Sequence, residues 1–123
     1  MRSMFKRNLA LAAIIVVTGI AGAVQLAAHH GWTGYEGSKE TTLTGTIKVS
    51  SYENPHASVD LDVNGKVWKV VLAPPSRMQS RGLQREMLKI GTRATVLGYV
   101  HKNVPAELRA ERITIADKTT ELR

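Results

Sequence analysis

The feature that most constrains the fold is an Asn-Gly pair, Asn64-Gly65, between two segments that alternate apolar and polar residues. The first segment, ASVDLDV, ends at Val63, and the second, KVWKVVLA, begins at Lys66. Asn and Gly both tolerate a positive φ, which a two-residue turn between antiparallel strands requires. The sequence therefore predicts a β-hairpin with one buried face. The apolar residues of that face are Val59, Leu61, Val63, Trp68, Val70 and Leu72.

Three further segments are rich in β-branched residues and are bounded by turn residues, which is typical of strands. They span residues 41–53, 92–101 and 108–116, and the closing residues TTELR extend the pattern toward a sixth strand. Gly45, inside the first segment, predicts a bulge or a tight bend. Pro55 predicts a turn between the first two strands, because proline cannot pair in the middle of a sheet.

The strand pattern is interrupted by the segment PPSRMQSRGLQREMLKIG, which starts at Pro74. Ser76, followed three residues later by Gln79, fits a capping box at the start of a helix. Gly82 predicts that the helical structure is split into two short pieces, since glycine disfavours a helix interior. The order along the chain is therefore three strands, a short helical segment, and two or three strands.

This order predicts an all-β domain with one short helix. The expected architecture is a small OB-like Greek-key barrel of five to six strands, with the helix between strands three and four. Closure of a barrel removes exposed strand edges. An open sandwich of the same strands is the alternative. We expect the barrel to span residues 41–123 and to follow a Gly- and Ser-rich arm at 29–40.

Residues 1–28 have the three-part layout of a secretory signal peptide. Basic residues open it, an uncharged apolar run of helix length follows, and small residues close it. Cleavage after Ala23 or after Ala28 fits the sequence. An uncleaved membrane anchor is the alternative, since about 20 apolar residues can span a bilayer. The prediction is therefore an N-terminal signal helix and a periplasmic protein, for which nucleic acid is not an expected partner.

Five motifs occur in order: HHGWTGY, ENPH, LAPPSRMQSRGL, MLKIG and LRAERITI. As a set they resemble a family of small exported bacterial proteins, domain of unknown function 6152. The resemblance covers essentially all of the chain after the signal, and it implies export and a small β fold but no activity. In similar proteins the signal commonly ends in an Ala-Leu-Ala type site before the paired histidines. Here Leu26-Ala27-Ala28 precedes His29.

The candidate metal ligands are the four histidines, His29, His30, His56 and His101. Imidazole is a usual ligand of copper and zinc, and the chain has no cysteine to supply a thiolate. In an OB-like barrel, His56 and His101 fall in the two loops that flank the ligand cleft. The arm could fold across that cleft, and Glu53 could add a carboxylate. Alternatively, these histidines are turn, surface and solvated-arm residues without a ligand.

Trp32 and Tyr35 precede the first predicted strand, so they do not belong to the alternating core pattern. We expect them to pin the arm onto the barrel, because burial of aromatic area is an effective way to order a Gly-rich segment. Lining a pocket for a small ligand is the alternative.

Arg77, Arg81, Arg85 and Lys89 recur every four residues and would form a basic stripe on a continuous helix. Such a stripe is a candidate contact for an acidic partner or an anionic surface. A solvated helix face, interrupted at Gly82, is the alternative. The net charge of +7 adds little support, because three of the positive charges lie in the signal.

Catalysis has little support in the sequence. Ser76 and Ser80 have no neighbouring histidine and no nucleophile elbow, and phosphate-loop and dinucleotide motifs are absent. We therefore expect a non-enzymatic exported binding module of unknown ligand, without an organic cofactor, and with copper or zinc as the specific hypothesis. The alternative is a structural or interaction protein of the cell envelope that uses the basic stripe, with membrane contact only through an uncleaved signal.

Overall fold

The computed structural model describes residues 32–35 and 39–123. The chain forms two compact units, residues 1–33 and residues 34–123. The predicted signal, His29 and His30 lie outside the described residues. In the described part of the chain, no helix has the length and apolar character needed to cross a membrane.

The second unit is a six-stranded sheet, antiparallel except for one parallel pairing, that closes into a barrel. The strands are β1 (Glu40–Ser51), β2 (Ser58–Val63), β3 (Lys66–Val71), β4 (Arg93–Val100), β5 (Glu107–Ile115) and β6 (Lys118–Glu121). Their order is β3-β2-β1-β4-β5-β6, and a parallel pairing of β3 with β5 completes the ring. The predicted OB-like barrel is confirmed, with five strands in the closed ring and β6 extending the sheet beyond β5. The open sandwich is excluded.

The turn between β2 and β3 has the predicted geometry. Asn64 and Gly65 have φ values of 53° and 88°, and Val63 pairs with Lys66 across the turn. The Gly65 N–H also donates to the Asp62 side chain at 2.9 Å. The two-residue hairpin predicted from the Asn-Gly pair is therefore confirmed.

The hairpin buries the face that its alternation predicts, with a difference toward its turn. Val59, Leu61, Val70 and Leu72 are at most 1% exposed. Trp68 and Val63 are only partly buried and pack against the edge of this core. The Lys66 ammonium group lies 4.6 Å from the centre of the Trp68 ring, so one side of the indole faces a cation instead of the core.

Gly45 marks a close approach of two strands. A Cβ at this position would clash with the main-chain carbonyl of Asp62, so glycine allows β1 to coil across β2. The register shift that forms a bulge lies slightly further along, between Ile47 and Val49. The predicted irregularity in β1 is therefore present, but glycine provides space for the neighbouring backbone instead of forming the bulge.

The helical segment between β3 and β4 is split as predicted. Helix α1 covers Pro75–Ser80, and a 3-10 helix covers Arg85–Leu88. Gly82, with a φ of 84°, separates them in a conformation that other residues rarely adopt. The buried side chains of the segment are Met78, Leu83 and Leu88, all at most 1% exposed.

The predicted capping box is wrong. The N-cap residue is Pro74, and no side chain caps the helix. Pro75 sets a helical φ and lacks an N–H that would need a partner, so it starts the helix by itself. Ser76 consequently lies inside the first turn instead of at the cap.

Candidate functional site

The segment before β1 is fastened to the β4–β5 loop (residues 101–106) by Tyr35, which is 8% exposed. The Tyr35 hydroxyl donates a hydrogen bond of 2.6 Å to Glu107 Oε2. Its ring meets the His101 ring edge-on, with 4.8 Å between the ring centres. The Gly34 carbonyl accepts a hydrogen bond of 2.9 Å from the Lys102 N–H. We call Gly34, Tyr35, His101 and Glu107 the Tyr35 cluster.

Gly34 is required for this close fit. A Cβ at Gly34 would lie 2.7 Å from His101 Nε2, closer than non-bonded atoms approach. Gly34 thus leaves room for the His101 imidazole, and Tyr35 supplies the ring that packs beside it. The pinning predicted for Tyr35 is confirmed. Trp32 belongs to the other compact unit, so its pinning stays a prediction.

His101 organises the turn of its own loop. Its Nδ1 atom accepts hydrogen bonds of 3.0 Å from the N–H groups of Asn103 and Val104. Because Nδ1 already accepts these two bonds, a metal ion at this atom would have to displace them.

A second group of side chains lies where the β1–β2 loop (residues 52–57) meets β5. An Nη2 atom of Arg109 lies 3.2 Å from Nε2 of His56. A guanidinium group can only donate, so His56 accepts and carries its proton on Nδ1. Burial lowers the pKa of His56, and the charges of Arg109 and Arg77 lower it further. We call His56, Arg77 and Arg109 the His56 cluster.

The barrel wall places Arg109 between β3 and β4, where it pairs with Val71 and Tyr99. Leu108, one residue earlier, is fully buried in the core, so Arg109 lies on the outer face. Arg109 is nevertheless only 6% exposed. Burial is the main cause that lowers the pKa of Arg109, and the charge of Arg77 contributes in the same direction.

The two clusters are electrostatic neighbours. Burial raises the pKa of Tyr35, the hydrogen bond and charge of Glu107 raise it further, and the charge of Arg109 opposes this rise. Arg109 therefore acts on both His56 and Tyr35. On β5, Arg109 contacts His56 of the β1–β2 loop, and the Glu107 carbonyl accepts a hydrogen bond of 2.8 Å from the His101 N–H.

The predicted four-histidine metal site stays a prediction. His29 and His30 are outside the described residues. Among residues 32–35 and 39–123, no three or more His, Cys, Asp or Glu side chains form a group that could hold a metal ion. A metal at His56 Nε2 would also face the Arg109 guanidinium. Glu53, the proposed additional ligand, is exposed in its loop.

The four residues of the predicted basic stripe do not share one helix. Arg77 Nη1 donates to the Leu122 carbonyl at 3.1 Å, and Arg81 Nη1 donates to the Glu121 carbonyl at 2.7 Å. Both guanidinium groups therefore hold the main chain that ends β6. A role of the stripe in partner binding stays a prediction, but it cannot rely on a continuous helical face.

The other half of the stripe lies around Tyr52. This tyrosine is 5% exposed, and its hydroxyl donates a hydrogen bond of 2.6 Å to the Leu83 carbonyl. Burial is the main cause that raises its pKa. The Arg85 guanidinium carbon lies 5.4 Å from the centre of the Tyr52 ring.

A groove of about 340 Å³ opens beside Tyr52, and we call it the Tyr52 groove. It is lined by Ser50, Tyr52, Arg85, Glu86, Leu88 and Lys89.

Sequence reasoning missed Arg109 and Glu107 as site residues. A signal was present, because Arg109 stands between Leu108 and Ala110 in a strand whose neighbours are apolar. A basic residue in such a run needs a polar environment on the outer face of the sheet. The partners of the two residues could not be found this way, since Tyr35 and His56 are distant in sequence.

These features define a class of protein, a small OB-like barrel with polar side chains of β5 beside its β1–β2 and β4–β5 loops. The chain belongs to the family of unknown function DUF6152, whose model matches residues 17–107. No curated protein sequence matches this chain.

Solved structures support the fold. The chain is similar to part of TiaS in a complex with a tRNA and ATP, with 23% identity and a TM-score of 0.50 over 69% of this chain and 19% of that chain. It is also similar to a chain of the S. pombe Stn1–Ten1 complex, with 17% identity and a TM-score of 0.51 over 64% and 59% of the two chains. The chain thus spans less than two thirds of either structure, and these likenesses concern the fold alone.

Proposed function

We propose that the protein is a non-enzymatic binding module that holds a small anionic group, a phosphate or a carboxylate, at the His56 cluster. The proposal is carried by one observation: the Arg109 guanidinium lies 3.2 Å from His56 Nε2, and the charge of Arg77 acts on both residues. Ligands of OB-like barrels commonly bind beside the β1–β2 and β4–β5 loops. His56 lies in the first of these loops.

An anion would relieve an electrostatic conflict in this cluster. Arg77 and Arg109 repel each other and disfavour a charge on His56, as the lowered pKa values of His56 and Arg109 indicate. Guanidinium groups match the planar geometry of carboxylate and phosphate oxygens. Arg77 is exposed and uses Nη1 for the Leu122 carbonyl, so it is placed to meet a ligand from the solvent side.

Binding at this cluster should take up a proton. His56 is neutral because its charged form would be buried beside two guanidinium groups. A bound anion supplies the opposite charge and raises the pKa of the imidazole. Affinity should therefore increase as the pH falls toward 6, the reverse of the behaviour expected for a metal held by imidazole nitrogens.

The titratable groups of the Tyr35 cluster favour binding over catalysis. Tyr35 and Glu107 are hydrogen-bonded to each other, and His101 Nδ1 accepts from two loop amides. These side chains stabilise the attached segment and the loop. The signal-like layout of residues 1–28 supports a periplasmic location, which we include in the proposal.

The proposal is tested by titration of the purified, isotope-labelled protein with sodium phosphate and, separately, sodium acetate at constant ionic strength. We expect saturable NMR shifts of the His56 ring and neighbouring amides, with tighter binding at pH 6 than at pH 7.5. Arg77→Gln should weaken binding about tenfold, equivalent to ~1.4 kcal/mol. Arg93→Gln is the matched control, because Arg93 is an exposed residue of β4.

Three results would contradict the proposal. The first is the absence of saturable shifts. The second is equal binding by the Arg77 and Arg93 variants. The third is tight Cu(II) or Zn(II) binding that depends on His56 and weakens at low pH, which would favour the metal hypothesis. A short oligothymidylate that binds through Arg77 far more tightly than phosphate would identify a nucleic acid as the source of the anion.

A further inference from the structure

The Tyr52 groove is built on fixed supports. The hydrogen bond from the Tyr52 hydroxyl to the Leu83 carbonyl, 2.6 Å long, ties the end of β1 to the chain that follows α1. Arg85 lies over the Tyr52 ring and donates from Nη2 to the Tyr52 carbonyl at 3.4 Å. The guanidinium is therefore oriented before any ligand arrives, which reduces the entropy that binding would cost.

An exposed aliphatic residue adjoins the groove. Ile90 is 71% exposed and is next in sequence to the lining residue Lys89. The backbone of Ile47 exchanges hydrogen bonds of 2.8 and 2.9 Å with Gly91 and Thr92. These bonds bring the segment that contains Ile90 alongside β1. The Ile90 side chain is therefore held beside the groove and is available to a ligand.

The charge around the groove is positive. Arg85 and Lys89 line it, and Lys48, which precedes Val49, is exposed. Glu86 is the acidic residue among the lining side chains. A ligand with negative charges and aliphatic side chains would complement both the cations and Ile90.

We infer that the Tyr52 groove and Ile90 dock an extended segment of a partner protein that carries acidic and aliphatic residues. Acidic side chains of this segment would meet Arg85 and Lys89, and an aliphatic side chain would cover Ile90. The groove volume of about 340 Å³ has room for a few side chains of a peptide. The groove shares no residue with the His56 cluster, so either proposal can fail without the other.

The test uses a short synthetic peptide of alternating Glu and Leu residues, with a Lys-Leu peptide of equal length as the comparison. We expect the acidic peptide to shift the amide signals of Leu88, Lys89 and Ile90 saturably, and the basic peptide to leave them unchanged. Lys89→Glu and Ile90→Ser should each weaken binding at least fivefold. The matched controls are Lys102→Glu and Val104→Ser, which alter exposed residues of the β4–β5 loop.

The inference is overturned if neither peptide shifts these amides. It is also overturned if the loop controls weaken binding as much as the groove variants do. Vesicles of phosphatidylglycerol provide the competing outcome. Vesicle binding that depends on Lys89 and Ile90, without peptide binding, would assign this surface to a membrane and would exclude the peptide.

Discussion

Tyr35 and Tyr52 are both buried, and each donates a hydrogen bond of 2.6 Å, but they support different kinds of structure. Tyr52 belongs to the main hydrophobic core, whereas Tyr35 packs outside it. The acceptor for Tyr52 is the Leu83 carbonyl, and the acceptor for Tyr35 is the Glu107 carboxylate. One tyrosine therefore completes the barrel, and the other attaches a segment to its surface.

This difference shows how a small barrel can combine a stable core with a surface that responds to pH. Tyr52 packs in the hydrophobic core with Arg85 over its ring, and the charge of Glu86 also acts on it. The environment of Tyr35 is shared with His101, Glu107 and, electrostatically, Arg109. We therefore expect the Tyr35 side to open locally, and the Tyr52 side to open only when the whole barrel unfolds.

The largest expected effect comes from removal of either ring. Tyr52→Ala should lower the free energy of unfolding by about 3–5 kcal/mol, as for a large side chain in a packed core. Tyr35→Ala should cost only about 1–2 kcal/mol, because its contacts lie outside the core. Urea denaturation of the two variants measures both losses. Equal losses would mean that the attached segment is part of the cooperative core.

A smaller effect is expected when only the hydroxyl groups are removed. Tyr52→Phe leaves the buried Leu83 carbonyl without its partner and should cost about 1–3 kcal/mol globally. In Tyr35→Phe, water can reach the partly buried Glu107. Its main effect should be faster exchange of the Lys102 amide, which donates to Gly34. Hydrogen exchange distinguishes a global loss of stability from local opening. Unchanged Lys102 exchange in Tyr35→Phe would contradict a local role for Tyr35.

Much of the barrel follows from local rules. The Asn64-Gly65 turn, the alternation of β2 and β3, and the split at Gly82 each depend on a few adjacent residues, so the sequence predicts them correctly. The order of these elements then restricts the topology to very few closed arrangements. The capping box failed for a local reason too, because Pro75 starts the helix without help from Ser76.

The candidate site was less predictable because its contacts are long-range. Tyr35 and Glu107 are 72 positions apart, and His56 and Arg109 are 53 positions apart. The sequence placed His56 and His101 in flanking loops, but it did not indicate that their ring nitrogens already accept hydrogen bonds. The bond that His56 accepts depends on the closure of β3 against β5, which positions Arg109, whereas the bonds that His101 accepts come from amides of its own loop.

Gly34 offers a sharper test of the attached segment. In Gly34→Ala, the new Cβ would lie 2.7 Å from His101 Nε2, so either the ring or the segment must move. We expect a loss of about 1–2 kcal/mol and faster exchange of the Lys102 amide. Gly65→Ala is the control, because a Cβ there meets no atom within 4 Å. It should strain only the hairpin turn. Lys102 exchange that is unchanged or slower in Gly34→Ala would refute the close fit.

The smallest expected effect is a difference in pH dependence between the two sides. Burial and the charges of Arg109 and Arg77 lower the pKa of His56 in the folded protein. The neutral ring therefore adds stability above the unfolded-state pKa of about 6.5, and this contribution is lost as the pH falls below that value. Tyr52 has a raised pKa, so its contribution is lost only above about pH 10.

Acidification from pH 7 to pH 5 should therefore loosen the His56 side first. We expect the Ala57 amide, which donates to Ala73 at 2.9 Å, to lose protection before the Leu83 amide does. His56→Gln should flatten the fall in stability over this range, because glutamine does not titrate. NMR titration of the His56 ring gives its pKa directly, and a value at or above 6.5 would refute the argument. Added phosphate should raise this pKa, since an anion stabilises the imidazolium beside Arg109.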